Sequence, residues 1–301
     1  MNPAINKRPA ACTLLILAAG LGSRYGGLKQ LDALGPQGET MLDYAVSDAV
    51  EAGFDAVIFV IRKDFENSFK KTIGQKFEGI IHIEYAYQNL DDIPDGHNVS
   101  LNRIRPWGTA HAVWCARESI EGPFAVINAD DFYGSDAYVK MSQFLRGKSR
   151  RADDLAMVAY DLEQTLSDNG SVNRGICEVI DGRLVKVEEH EAIHRTIVDG
   201  LSGRNAQGEI VALDPQLPVS MNFWGFDESF VRYLENNLSQ FFSRNGKDLR
   251  AECYLPAVVN RYLADRSAVC QVLQSTSTWF GVTYPEDKAS VQAKLRTVRS
   301  R

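Results

Sequence analysis

The chain has no apolar run that approaches the ~18 residues needed for a membrane-spanning helix. It also lacks a positive excess: Lys and Arg total 33 against 39 Asp and Glu, leaving a net charge of −6. That balance argues against a nucleic acid or an acidic membrane surface as partner. Any phosphate ligand must therefore be held by local positive groups and not by the overall field. Cysteine is scarce, with five residues at Cys12, Cys115, Cys177, Cys253 and Cys270 and no C-x-x-C pair. The odd count and the spacing exclude a disulfide framework and a Cys-rich zinc site, and favour buried free thiols in a reducing compartment. Internal repeats, low-complexity tracts and an interdomain linker are missing too. Near the start, Lys7 and Arg8 precede an apolar stretch, superficially like a signal peptide. Pro9 interrupts it, however, and the stretch turns at once into glycine-rich sequence. The expectation is a flexible tail over residues 1–11, then a single domain over 12–301, in a cytoplasmic protein.

What is present is a folded-domain composition, 45% hydrophobic and 24% charged over 301 residues, with ample material for a core. Strand-like and helix-like segments alternate. Cys12–Ala18 and Ala56–Ile61 are continuous apolar runs, as expected of strands buried on both faces. Between them, residues 40–52 carry apolar side chains at helical spacing, and Gly53 suits the helix end. The rhythm continues to about residue 160 and predicts an α/β fold, a three-layer, mostly parallel sheet of Rossmann-like type. Beyond it the pattern loosens. A hairpin is expected around Asp181-Gly182, a loop or small lobe over 196–218, and a terminal helix with Pro285 in its first turn.

The most informative segment runs Leu14-Leu15-Ile16-Leu17-Ala18-Ala19-Gly20-Leu21-Gly22-Ser23-Arg24-Tyr25-Gly26-Gly27-Leu28-Lys29-Gln30. A buried strand empties into a loop with four glycines, an Arg and a Lys. Glycines let backbone N–H groups approach a phosphate closely. Arg24 adds a planar fork for its oxygens and Lys29 a point charge. A dinucleotide-binding G-x-G-x-x-G fails because Tyr25 stands where the third glycine belongs, which sets aside a dinucleotide-dependent oxidoreductase. A Walker A loop fails because Gly27 is followed by Leu28-Lys29-Gln30. The segment resembles the signature loop of the sugar-nucleotide pyrophosphorylase and nucleotidyltransferase superfamily, L-A-G/A-G-x-G-S/T-R followed by Lys.

Collinear elements extend this resemblance over roughly residues 12–295. Gln88, after Tyr85-Ala86-Tyr87, matches a Gln that reads the nucleobase edge in the family. Gly108-Thr109-Ala110-His111-Ala112 resembles its G-T-A/G-x-A element, with His111 read as a helix side chain and not a catalyst. Asp130-Asp131, after the apolar run Phe124–Asn128, resembles its metal-binding G-D element, with Ala129 in place of Gly. The residues between Gln88 and Gly108 are either a lid or an insertion. Gly175, in Asn173-Arg174-Gly175-Ile176, fits the strand that lies against the sugar. Glu188-Glu189-His190-Glu191 resembles E-E-K-P, with His190 and Glu191 replacing Lys and Pro, which leaves the acceptor's phosphate contact and identity open. Asn222 fits the later acceptor-facing strand. A second metal-binding residue is missing at Thr283, and Asp287 is the one candidate to replace it.

The resemblance implies a magnesium-dependent nucleotidyltransferase, with a nucleotide-binding half over 12–160 and an acceptor-binding half over 161–301. Its partners would be an NTP, with UTP or dTTP favoured, and a phosphorylated small molecule such as a sugar 1-phosphate; a homo-oligomer stays open. Leu17, Ala18, Ala19, Gly20, Gly22, Ser23, Gln88, Gly108 and Thr109 would bind the nucleotide. Arg24, Lys29 and Asp130 would serve catalysis, with Asp130 as the Mg²⁺ ligand. Gly175, Glu189, His190 and Asn222 would meet the acceptor. Two alternatives remain: a CTP-dependent cytidylyltransferase acting on phosphocholine or another small phosphate or phosphonate, and a nucleotide-binding regulatory protein without turnover.

Overall fold

The computed structural model describes residues 12–20, 31–148, 150–196 and 200–298. The N-terminal tail and the glycine-rich loop at 21–30 lie outside them. The chain begins with β1 (Thr13–Leu17), α1 (Met41–Glu51), β2 (Ala56–Ile61), α2 (Glu66–Thr72) and β3 (His82–Tyr87). It continues through α3 (Thr109–Cys115), β4 (Phe124–Asn128), β5 (Asp131–Phe132), α4 (Ser135–Leu145) and β6 (Leu155–Asp161). The second half holds β7 (Val172–Ile180), β8 (Arg183–Arg195), β9 (Leu201–Arg204), β10 (Ile210–Leu213) and β11 (Pro218–Phe226). Last come α5 (Ser229–Asn245), α6 (Leu255–Asp265), β12 (Cys270–Gln274), β13 (Phe280–Gly281) and α7 (Asp287–Val298).

Local chemistry fixes these elements. Thr40 caps α1 with a reciprocal box: its hydroxyl accepts from the Asp43 amide at 3.2 Å, and the Asp43 carboxylate accepts from the Thr40 amide at 2.7 Å. Such a cap supplies about 1 kcal/mol. Gly53 ends the helix at φ +84°, where any other residue would be strained. Side chains of β1 alternate between faces. Leu14 and Ile16 pack with α1 and α4, while Leu15 packs with α3, α5 and α6. Helices thus cover both faces of a mixed α/β sheet. All five cysteines are buried and unpaired, and burial pushes the Cys12 thiol up to about 12. No helix among the described residues is long and apolar enough to cross a membrane.

The main sheet runs β10-β9-β8-β12-β6-β11-β4-β1-β2-β3, with β7 paired to both β11 and β8. Only β3-β2-β1-β4 and β6-β12 are parallel. In between, β11 runs antiparallel to β4 and β6, and β7 to β10 pair antiparallel through short turns. The sheet is therefore mixed, and the expected parallel character belongs to the nucleotide half. A two-residue turn such as Asp181-Gly182 can return a strand only antiparallel. The stretch expected as a loop over 196–218 contains the hairpin of β9 and β10. Its strands are only four residues each, and the apolar Ile210-Val211-Ala212-Leu213 of β10 is a short run set among Gly, Asp, Asn and Pro. The terminal helix begins at Asp287, two residues after Pro285.

The segment between Gln88 and Gly108 is sewn to the body, which excludes a mobile lid. Arg103 is buried and donates to the carbonyls of Arg105, Pro106, Asp248 and Ala251 at 2.7–2.8 Å. Its guanidinium also stacks 3.4 Å from the Trp107 ring centroid. A planar cation with five donors is suited to bind several carbonyls at once.

Candidate active site

Strand order 3-2-1-4 places a switch point between β1 and β4, where crevices of open α/β sheets take ligands. Leu17 pairs with Asn128 there. The Ala18 amide donates to the Val60 carbonyl at 2.8 Å, and the Ala129 amide to the Leu17 carbonyl at 3.2 Å. Ala18, Ala19 and Gly20 consequently leave the sheet next to the turn that carries Asp130 and Asp131. Gly22, Ser23, Arg24 and Lys29 lie outside the described residues.

A cleft of about 740 Å³ opens at this end of the sheet. Thr109, Asn128, Asp130 and Asp131 line one side, and Arg174, Gly175, Glu189, Glu191, Ser220 and Asn222 the other. Gly175 is paired with both Glu189 and Ser220; a Cβ there would stand 2.9 Å from a Val187 methyl. Asn222 takes φ +65°, where the β11–β6 register breaks. Its amide donates to Asn128 Oδ1 at 2.8 Å, and its carbonyl accepts from Trp224 at 3.1 Å. Asn128 in turn donates to Asp131 at 2.9 Å. One polar chain thus ties the acceptor wall to the acidic turn.

Gly134 stands at the N-cap of α4, and Asp131 accepts from Asn128 and Tyr133. Gly108 answers first to packing: it has φ +97°, and a Cβ would meet the Cys253 backbone at 2.5–2.9 Å. The Thr109 hydroxyl accepts from the Leu255 amide at 2.8 Å. Gln88 stands beside Gly108, donating to its carbonyl at 3.1 Å.

His190 does not reach the cleft. Successive strand residues face opposite ways, so Val187, Glu189 and Glu191 line the cavity while His190 is buried on the other face beside the Glu188 carbonyl. Asp287 also drops out as a second metal ligand. Its carboxylate accepts from Ser167 and Asn169 and from the Thr283 and Tyr284 amides, all at 2.7–2.9 Å. Burial alone would raise its pKa, but these donors more than offset that and lower it.

Arg174 was not singled out by the sequence. It is 9% exposed and the one cation among the described residues lining the cleft. It donates to the carbonyls of Thr165 and Asn173 and forms no ion pair with a described residue. Burial pulls its pKa down to about 10, against the opposing pull of Asp131, Glu189 and Asp287.

Glu189 opens to solvent through the cleft, yet the walls desolvate its carboxyl and raise its pKa, Arg174 opposing and Glu191 adding to the rise. A carboxylate that accepts acceptor hydroxyls must be ionised. Acceptor KM is therefore expected to climb as pH falls, starting above the ordinary carboxylate range, and Glu189→Gln should flatten that profile. A raised folded pKa favours the fold at low pH, and that contribution is lost as pH rises through it. Glu189→Gln should consequently gain thermal stability over the parent at pH 8 and not at pH 4. Equal melting shifts at both pH values would contradict this.

Asp130 and Asp131 offer hard oxygen donors, and Mg²⁺ takes one or two carboxylates while leaving room for phosphates and water. No larger metal-binding cluster exists among the described residues, so the donor set fits magnesium bound jointly with a phosphate ligand.

Residues 13–189 match the nucleotidyl transferase family, and the chain belongs to that family of nucleotidyltransferase enzymes. A UTP–glucose-1-phosphate uridylyltransferase of Bacillus subtilis (strain 168) is 30% identical over 132 residues, 39% of this chain and 43% of that relative. The matched region is thus less than half of the relative's length. Among solved structures, one from Bacillus anthracis, described as a glucose-1-phosphate thymidylyltransferase in complex with a sucrose, superposes with TM-score 0.62 at 15% identity over 95% of both chains. The inositol-1-phosphate CTP transferase from T. maritima superposes with TM-score 0.60 at 10% identity over 96% of both. At these identities the likeness is one of fold.

Proposed function

We propose that the chain transfers a nucleoside monophosphate from a pyrimidine NTP, UTP or dTTP, to a sugar 1-phosphate and releases pyrophosphate. The observation that carries this is the single cleft joining Asp130 and Asp131 at the switch point to Glu189, Gly175 and Arg174 opposite. The Bacillus subtilis relative and the Bacillus anthracis structure are named for glucose 1-phosphate, which supports a sugar phosphate as acceptor. An acceptor phosphate oxygen attacks the α-phosphorus in line, and no protein nucleophile is needed, because phosphoryl chemistry rests on positioning and charge stabilisation. Arg24 and the amides of residues 20–23 grip the β- and γ-phosphates, and Lys29 neutralises the α-phosphate as it becomes five-coordinate. Asp130, with Asp131, would hold Mg²⁺, which when bound supplies charge neutralisation at the phosphates.

With His190 turned away, Arg174 takes the acceptor's phosphate. Three of its five N–H groups serve carbonyls, which leaves two for an anion. Charge-assisted bonds of that kind are worth about 1.5–3 kcal/mol. Arg174→Gln should raise acceptor KM about 10–100-fold while NTP KM stays within about threefold. An unchanged acceptor KM would remove Arg174 from this role.

The absence of a lysine from the described residues that line the cleft and the T. maritima fold neighbour favour one second reading, a CTP-dependent enzyme acting on another small phosphate. Pyrophosphate release measured across four NTPs and a panel of sugar 1-phosphates, inositol 1-phosphate and phosphocholine separates the two. Release with no combination would overturn both.

A further inference from the structure

His111 is fully buried, one turn into the segment that starts at Gly108. Its Nε2 lies 2.6 Å from the Asp92 carbonyl oxygen. A carbonyl can only accept, so Nε2 carries the proton. Burial pulls the His111 pKa down to about 4, and a neutral ring with a proton on Nε2 has a bare lone pair on Nδ1. That lone pair faces Gln88 Nε2 at 3.2 Å. The same amide nitrogen also donates to the Gly108 carbonyl at 3.1 Å. Turning the amide over would set its oxygen against two acceptors. Both amide protons of Gln88 are therefore spent inside the protein, and Oε1 accepts no hydrogen bond among the described residues.

We propose that His111 is a positioning residue that fixes the Gln88 amide as an acceptor and so makes the base site select N3–H pyrimidines over cytosine. This rests on the function proposed above together with the reading of Gln88, beside Gly108, as the residue that meets the base. Uracil and thymine present N3–H between two carbonyls, which a fixed Oε1 can accept. Cytosine presents a lone pair at N3, which the same oxygen repels. A freely turning glutamine would serve either ring, since an amide can donate or accept. The chain Asp92–His111–Gln88 removes that freedom.

The sequence could not reveal this. Gln88 and His111 are 23 residues apart, and the partner that sets the tautomer is a backbone carbonyl in the insertion.

The test is titration of UTP and of CTP, each with Mg²⁺, into the parent chain and into His111→Asn and His111→Gln. An Asn amide reaches the locus of Nδ1 and can still accept from Gln88, whereas a Gln amide reaches only the locus of Nε2 and the Asp92 carbonyl. The parent should bind UTP about tenfold or more tighter than CTP, the span of one well-made hydrogen bond. His111→Asn should keep that ratio within about threefold, and His111→Gln should bring it close to one. Retention of the full ratio in a folded His111→Gln overturns the role of His111, and equal parent affinities overturn the selection; neither touches the proposed function. If the parent binds neither nucleotide, the proposed function falls and this inference with it. Should both variants fail to fold, hydrogen exchange of the Gln88 side-chain amide in the parent decides: two slowly exchanging protons are expected, and fast exchange of either overturns the proposal.

Discussion

Asp130→Asn is expected to lower kcat by about 10²–10³, the span for removing one preorganised stabiliser of transition-state charge. The substitution keeps the shape, removes the charge and turns one acceptor oxygen into an NH₂ donor that cannot ligate a cation. Asp130 sits in the turn after β4, next to where β1 empties toward the glycine-rich loop. Replacing Asp131 would in addition disturb the polar chain to Asn222, because Asp131 accepts from Asn128 and Tyr133. Melting temperature should change little and acceptor KM should stay near the parent value. Steady-state kinetics at saturating NTP and Mg²⁺ check this, and a fall smaller than about threefold would remove Asp130 from the metal-binding role.

Lys29→Ala is expected to cost a similar roughly 3–4 kcal/mol, about 10²–10³ in rate, but with a different signature. Charge at the α-phosphate grows on the way to five-coordination, so Lys29 acts more strongly in the transition state than on bound NTP. A group of that kind lowers kcat and kcat/KM together. Arg24, proposed to grip the outer phosphates before and during reaction, should instead raise NTP KM when replaced by Ala. Single-turnover rates with NTP titrations separate the two patterns. Loss confined to NTP KM in Lys29→Ala would move Lys29 from stabilising the reacting phosphate to holding the substrate.

The nucleotide half was legible because its signals are local. Continuous apolar runs marked β1, β2 and β4 within a residue or so, and Thr40 and Gly53 bracketed α1 by cap chemistry. The acceptor half was legible in order but not in geometry. The motif at Glu189-His190 was matched residue by residue, yet on β8 the pleat turned Glu189 toward the cleft and His190 to the opposite face. Arg174 passed unnoticed because its value depends on what surrounds it: a buried cation in a cleft of carboxylates reads, in sequence, as one more polar residue on a strand. Asp287 appeared as a metal candidate because sequence shows a carboxylate but not the four donors that occupy it. The β9–β10 hairpin was hidden by its brevity, since a four-residue apolar run such as Ile210–Leu213 among turn-forming residues is a weak strand signal.

Transfer of label from UTP to a sugar 1-phosphate tests the central claim most directly. With [α-³²P]UTP the label should appear in a nucleotide-sugar product, and with [γ-³²P]UTP it should appear only in pyrophosphate. Movement of γ-label to the acceptor, or retention of α-label in free nucleotide with every phosphorylated acceptor and every NTP tried, would contradict it.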